Sequence, residues 1–143
     1  MIDEELMWES SKDSAYRREA QEVIVRLGQR ASIKTVELQA KPGRLAHKVS
    51  IFVGSIQGMH SGIEYCLAGE TDRVTHANAV QVGVVGIGTH LKIRFEPVPK
   101  TQANPYGQVG LKQLKVFGEP DGYSILNPQQ HPSPIISNSN RVD

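Results

Sequence analysis

Three pairs of polar side chains stand where this 143-residue chain could meet a ligand. Arg44 and His47 lie around a Pro-Gly turn, Arg73 and His76 in a central polar stretch, and Asn104 and Tyr106 in a long loop. Guanidinium, imidazole, carboxamide and phenol groups hydrogen-bond sugars and peptides alike, and loops on a rigid β scaffold commonly carry recognition. The other chemistry-bearing residues are scattered. His47, His60, His76, His90 and His131 show no pair at metal-ligand spacing. Asp72 and Asn78 flank a loop without the clustered oxygens that calcium needs. Gly83, Gly86 and Gly88 lack the following helix of a dinucleotide fingerprint, and no serine stands in a nucleophile-elbow context. The expectation is a binding module with no metal or cofactor, not an enzyme. Trp8, the single tryptophan, reads either as a platform for a sugar or peptide or as a plug closing one end of the core, the plug being favoured. Cys66 lies in the apolar run Ile63-Glu64-Tyr65-Cys66-Leu67 and reads as a buried, inert thiol.

Composition narrows the partners. The length suits one domain with a real core, and a net charge of +1 provides no global field toward nucleic acid or a membrane surface. The charge is unevenly spread. Asp3, Glu4, Glu5, Glu9 and Asp13 dominate the start, and eight basic residues face three acidic ones between Arg17 and Lys48. Arg17, Arg18, Arg26, Arg30, Lys34 and Lys48 could form a stripe, but only Trp8 and Tyr16 are near enough to stack bases, so the bland reading of a solvated sheet face wins. A lone cysteine excludes an intramolecular disulfide and mildly favours a reducing compartment, so a cytoplasmic setting is expected. No apolar run reaches bilayer-spanning length, and the acidic start is not a signal peptide.

The elements that would position the six polar residues are strands. Val23, Val25 and Leu27 alternate with Glu22, Ile24 and Arg26, the period of a half-buried strand. Gly28-Gln29-Arg30 reads as a turn into a second strand, Ile33 to Ala40. Lys41-Pro42-Gly43-Arg44 is a type II turn, with Pro42 presetting its own φ and Gly43 supplying the positive φ. His47 to Val53 is the third strand, with Val49, Ile51 and Val53 inward. Ile63 to Leu67 is a weaker strand, Ala68 to Ala77 a polar loop, and Asn78 to Val85 a strand that the glycines after Val82 should bend or bulge. Leu91-Lys92-Ile93-Arg94-Phe95 has one oily and one basic face. The loop from Glu96 to Gly107 is punctuated by Pro97, Pro99, Pro105 and Gly107. In the last strand Val109 and Leu111 alternate, then Leu114 and Val116 shift phase, which predicts a β-bulge at Lys112-Gln113. Seven short strands with no strong helix indicate an all-β antiparallel sandwich or barrel. From Glu119 on, Pro120, Pro128, Pro132 and Pro134 mix with Ser, Asn and Gln, a composition expected of a disordered tail or linker.

The order of these segments resembles a known superfamily. An acidic stretch ending in Trp8-Glu9-Ser10 is followed by Gln-Glu-Val-Ile-Val-Arg-Leu-Gly at 21–28, Ser-Ile-Lys-Thr-Val-Glu-Leu-Gln at 32–39 and Lys-Val-Ser-Ile-Phe-Val-Gly at 48–54. Leu-Lys-Ile-Arg-Phe at 91–95 and Gly-Gln-Val-Gly-Leu-Lys-Gln-Leu-Lys-Val-Phe-Gly at 107–118 complete the pattern. It is similar to the galactose-binding-like β-jelly roll of discoidin, coagulation-factor C-type and Doc-type domains. Within that superfamily, Asn104-Pro105-Tyr106 before Gly107-Gln108-Val109 resembles an Asn-x-Tyr-Asn-Gln-Val stretch of the ciliary and centrosomal branch. The resemblance implies a jelly roll over residues 1–118 and a tail over 119–143. It also implies a protein-interaction role with cytoskeletal or ciliary partners in the cytoplasm, at the cilium, centrosome or cytoskeleton. A carbohydrate-binding module of the same fold is the alternative. Two departures are expected to matter. The strand that usually precedes the acidic-Trp segment is missing, which implies a fragment or an incomplete gene model and an open sheet edge. The secreted discoidin branch bridges its ends with a disulfide, which a lone Cys66 cannot form.

Overall fold

A computed structural model describes residues 8–12, 19–56, 62–121 and, for the backbone, 133–134. The described elements are all strands: β1 (Trp8–Glu9), β2 (Gln21–Ala40), β3 (Ala46–Ile56), β4 (Ile63–Val74), β5 (Val80–Phe95), β6 (Gly110–Pro120) and β7 (Ser133–Pro134). They form one antiparallel sheet in the order β1-β6-β2-β5-β3-β4, with β7 added to β6. No helix among the described residues is long and apolar enough to cross a membrane. In the sequence Asp3 could cap a short helix carrying Leu6 and Met7, and Ala15 to Glu22 has helix-forming residues; the first stretch lies outside the described residues, as do positions 15–18 of the second.

Four of the seven expected strands merge into two long ones, β2 and β5, and the other three extend as β3, β4 and β6. Glu22–Leu27 and Ile33–Ala40 belong to the single strand β2, because both halves pair with β5. Gly28-Gln29-Arg30 is therefore not a turn but the crest of a wide bulge: residues 27–30 face Thr89 alone between the pairs Arg26↔His90 and Ala31↔Gly88. The Asn78 and Leu91 strands likewise fuse into β5. Ala68 to Val74 is strand, not loop, since β3 is long enough to pair with it as far as Ala46↔Val74. At the far end, β6 runs two residues past the expected boundary, to Pro120, and Ser133–Pro134 pairs with it. Asp121 follows, its carboxylate 2.8 Å from Arg30 Nε, and the remainder of the expected tail lies outside the described residues.

The bulges bend the sheet over itself. The first half of β2 and the second half of β5 lie beside β3 and β4, while their other halves lie beside β6 and β1. Strands that switch layers at bulges make the corners of such sandwich-like folds. The phase of β5 flips where it crosses, with Val82 and Val84 inward on one side of Thr89 and Leu91, Ile93 and Phe95 inward on the other. Both sets of inward residues meet in one cluster with Val23, Val25, Ile33, Val36, Leu38, Val49, Ile51, Leu111, Leu114 and Val116. Burial of these aliphatic chains, at about 25 cal/mol per Å² of apolar surface, is the main stabilising term. The layers touch closely enough to require glycine: a Cβ on Gly69 would lie 2.6 Å from the Gly83 carbonyl oxygen, and one on Gly88 would strike that of Gly54.

Two locally predicted features hold. Gly43 has φ +75° and the Arg44 amide donates to the Lys41 carbonyl at 3.0 Å, as the Pro42-Gly43 turn requires. Lys112 is the extra residue between the pairs Gln39↔Gln113 and Ala40↔Leu111, so Leu111 and Leu114 both reach the core.

Candidate functional site

All three loops that carry the expected site residues gather at one end of the fold. The β2–β3 turn starts beside the head of β6, where the Lys41 amide donates to the Gly110 carbonyl at 3.1 Å. The Ala40 amide donates to the Thr75 carbonyl at 2.9 Å, and Gln39 Nε2 donates to the His76 carbonyl at 2.8 Å. These bonds tie the end of β4 to the end of β2. A cleft of about 280 Å³ opens between the turn and the β5–β6 loop, lined by Gly43, Leu45, His47, Val98, Pro99, Thr101, Ala103 and Asn104. Among the described residues His47 is the only titratable side chain on its walls, and it lies opposite Arg73 across β3 and β4.

The six residues are differently engaged. Arg44 Nε donates to Glu9 Oε2 at 3.0 Å and its Nη1 to the Gly43 carbonyl at 3.1 Å, while Lys41 Nζ approaches the same carboxylate at 3.9 Å. Gly110 leaves the room for both basic stems, since a Cβ there would lie 3.0 Å from Lys41 Cδ and 3.4 Å from Arg44 Cβ. Asn104 was expected to be exposed and is buried. Its Nδ2 donates to the Gln108 carbonyl at 2.7 Å and its Oδ1 accepts from the Gln108 amide at 2.9 Å, so the carboxamide closes its own loop. Tyr106 is 39 % exposed, with Lys12 Nζ 5.2 Å from its ring centre. His47, Arg73 and His76 are exposed.

The residues that carried the resemblance prove to be one hydrogen-bonded unit. Ser10 N–H donates to the Val109 carbonyl at 2.9 Å, Val109 N–H donates to Ser10 Oγ at 3.0 Å, and Gln108 Nε2 donates to the Ser10 carbonyl at 2.7 Å. Trp8 stacks on Phe95 with ring centres 5.3 Å apart and packs against the core, in keeping with the plug. These side chains fasten the N-terminal segment to the long loop.

A second surface escaped sequence reasoning. On the outer side of the β4–β3–β5–β2 layer, cross-strand registers set out rows: Leu67, Phe52, Lys92 and Ile24, then Tyr65, Gly54, His90 and Arg26, with Ile63 beside Ile56 at the edge. Ile56 and Leu67 are more than half exposed and Ile63 is 36 % exposed. A one-residue bulge at Ala68, between the pairs Ile51↔Gly69 and Phe52↔Leu67, turns the apolar run outward. Below it Gly69 faces the core; above it Ile63, Tyr65 and Leu67 face outward. Cys66 alternates to the other side, opposite Val53, and is nevertheless exposed rather than buried, because β4 is the terminal strand of the sheet. Lys92 Nζ lies 4.3 Å from the Tyr65 ring centre and 5.7 Å from that of Phe52. A Cβ on Gly54 would come within 2.5 Å of the Tyr65 ring, so the glycine seats that ring flat on the sheet. The outer side of the other layer is polar along rows such as Gln81, Glu37 and Lys115, and Gln39 beside Gln113, and exposes the apolar side chains of Val85 and Ile87 farther along β5. The signal was present in Ile24, an aliphatic residue between Glu22 and Arg26 on the nominally polar side of its strand.

Among the described residues no group of three His, Cys, Asp or Glu side chains is placed to hold a metal ion. No protein family, curated protein or solved structure matches this chain.

Proposed function

We propose that this chain is a non-catalytic protein-interaction module on a galactose-binding-like jelly roll, part of a cytoplasmic protein associated with the cilium, centrosome or cytoskeleton. The observation that carries the interaction role is the outer layer face of Phe52, Tyr65, Leu67, Ile56 and Ile63. The core is complete without it, and contiguous exposed apolar surface of this kind marks interaction sites. The ciliary and cytoskeletal setting rests on the resemblance of residues 8–10 and 104–109 and on the single cysteine. Affinity capture from ciliated-cell extract, with wild-type protein beside L67D, tests the whole reading. A cytoskeletal or ciliary protein retained by wild type and lost by L67D supports it; equal retention by both, or none, overturns it.

The cleft at the loop end favours a second reading, carbohydrate binding, because His47, Thr101 and Asn104 line a recess of sugar size among apolar neighbours. A glycan array read with wild type and H47A separates the two. A signal that H47A removes and L67D retains would replace the protein-interaction reading.

A further inference from the structure

We propose that the upper half of the outer face binds an acidic, aliphatic-rich segment of a partner protein, a carboxylate of the segment pairing with Lys92 and Arg26. This rests on the protein-interaction reading and assigns its partner a chemistry. The two upper rows hold Leu67, Phe52, Lys92, Ile24, Tyr65, His90 and Arg26, apolar groups and bases with no carboxylate among them. The nearest acidic residues of this face, Glu22 and Glu70, stand one row lower, flanking Ser50 and Arg94, and Arg94 Nε is 3.7 Å from Glu96 Oε1. Neither Lys92 nor Arg26 pairs with a carboxylate among the described residues.

Lys92 is the centre of this arrangement. Its ammonium is held over two aromatic rings, which fixes the charge by attraction to their faces. A partner that covers Phe52, Tyr65 and Leu67 removes water from that ammonium. An ammonium desolvated without a counter-charge is costly, so the covering segment must bring an anion to this point. A basic or purely aliphatic segment would leave the charge buried and unpaired, and is selected against. Charge sign thus comes from Lys92 and Arg26, and affinity from the apolar side chains around them.

The test is selection of peptides from a displayed random library on the intact chain, followed by fluorescence anisotropy with one labelled winner and by NMR shift mapping. Winners are expected to interleave Asp or Glu with Leu, Ile or Phe. Their shifts should fall on Ile24, Phe52, Tyr65, Leu67 and Lys92. K92Q should weaken binding at least tenfold, K92R should restore most of it, and replacing the peptide's Asp and Glu by Asn and Gln should reproduce the K92Q loss. Circular dichroism and thermal melts check that the variants fold, and R26Q provides a second reading from another strand. Neutral or basic winners, or affinity indifferent to K92Q and R26Q, overturn the proposal. So does a concentration-dependent dimer in sedimentation that L67D dissolves, or binding to vesicles containing phosphatidylserine that K92Q removes. Peptides that map to the loop end instead sink this proposal while leaving a protein-interaction role standing; glycan binding at His47 with no peptide selected sinks both.

Discussion

The loop end and the outer face of the β4–β3–β5–β2 layer use their side chains in opposite ways. At the loop end the polar groups are turned on one another. Asn104 closes on Gln108, Gln108 and Ser10 join the N-terminal segment to β6, and Arg44 holds Glu9. On the layer face, Phe52, Tyr65 and Leu67 stand around an ammonium without a carboxylate partner among the described residues. Residue type pointed to the first region and the pattern of partners points to the second. A carboxamide or guanidinium in a loop advertises binding only until its own neighbours are counted.

Four substitutions sharpen or break that contrast. The largest effect is expected for Asn104→Ala, which leaves the buried amide and carbonyl of Gln108 without their partner. At about 1–3 kcal/mol for each unsatisfied group, the loss should be near 3 kcal/mol in urea unfolding; a loss below about 0.5 kcal/mol would return Asn104 to the list of free recognition groups. Gly54→Ala comes next. Its methyl group meets the Tyr65 ring and Ile63 Cγ2 at 2.5 and 2.7 Å, and an overpacked contact of this kind costs about 1–3 kcal/mol, the lower end applying where surface side chains can swing away. The near-ultraviolet tyrosine signal should change with it; an unchanged spectrum and midpoint would mean that Tyr65 is not seated on the sheet.

Arg44→Met should cost about 0.5 kcal/mol, the ordinary worth of a solvent-facing ion pair, and the difference from wild type should vanish in 1 M salt, where screening lengths shrink to about 3 Å. A salt-independent loss would show that the stem packing, not the charge, holds the turn. Smallest is Leu67→Ser. A surface substitution away from caps and cores stays within about 0.5 kcal/mol, yet retention on a hydrophobic interaction column should fall clearly. Loss of stability here would mean that the face belongs to the core and is not open.

Much of the fold was legible because inward positions are so regular. Val49, Ile51, Val53, Leu91, Ile93 and Phe95 are all buried, where period-two alternation places them. The Pro42-Gly43 turn and the Lys112 bulge were legible because each has a local cause. The long strands were not, since Gly28-Gln29-Arg30 bends or reverses a chain with equal ease and only pairing with β5 decides which. The layer face was hidden for a similar reason. In a short apolar run such as Ile63 to Leu67, periodicity cannot say which side is inward, and the extra residue at Ala68 that decides it is visible only against β3. The convergence of the three loops was likewise a matter of strand order, which no residue states.

β2 and β5 each serve both layers, and this has a consequence for how the molecule comes apart. There is no seam along which one half could peel away while the other survives, because melting either layer strips two strands from its neighbour. Hydrogen exchange should accordingly find the slowest amides of β3 and of β6 opening together, at one common free energy, although no hydrogen bond joins those two strands directly.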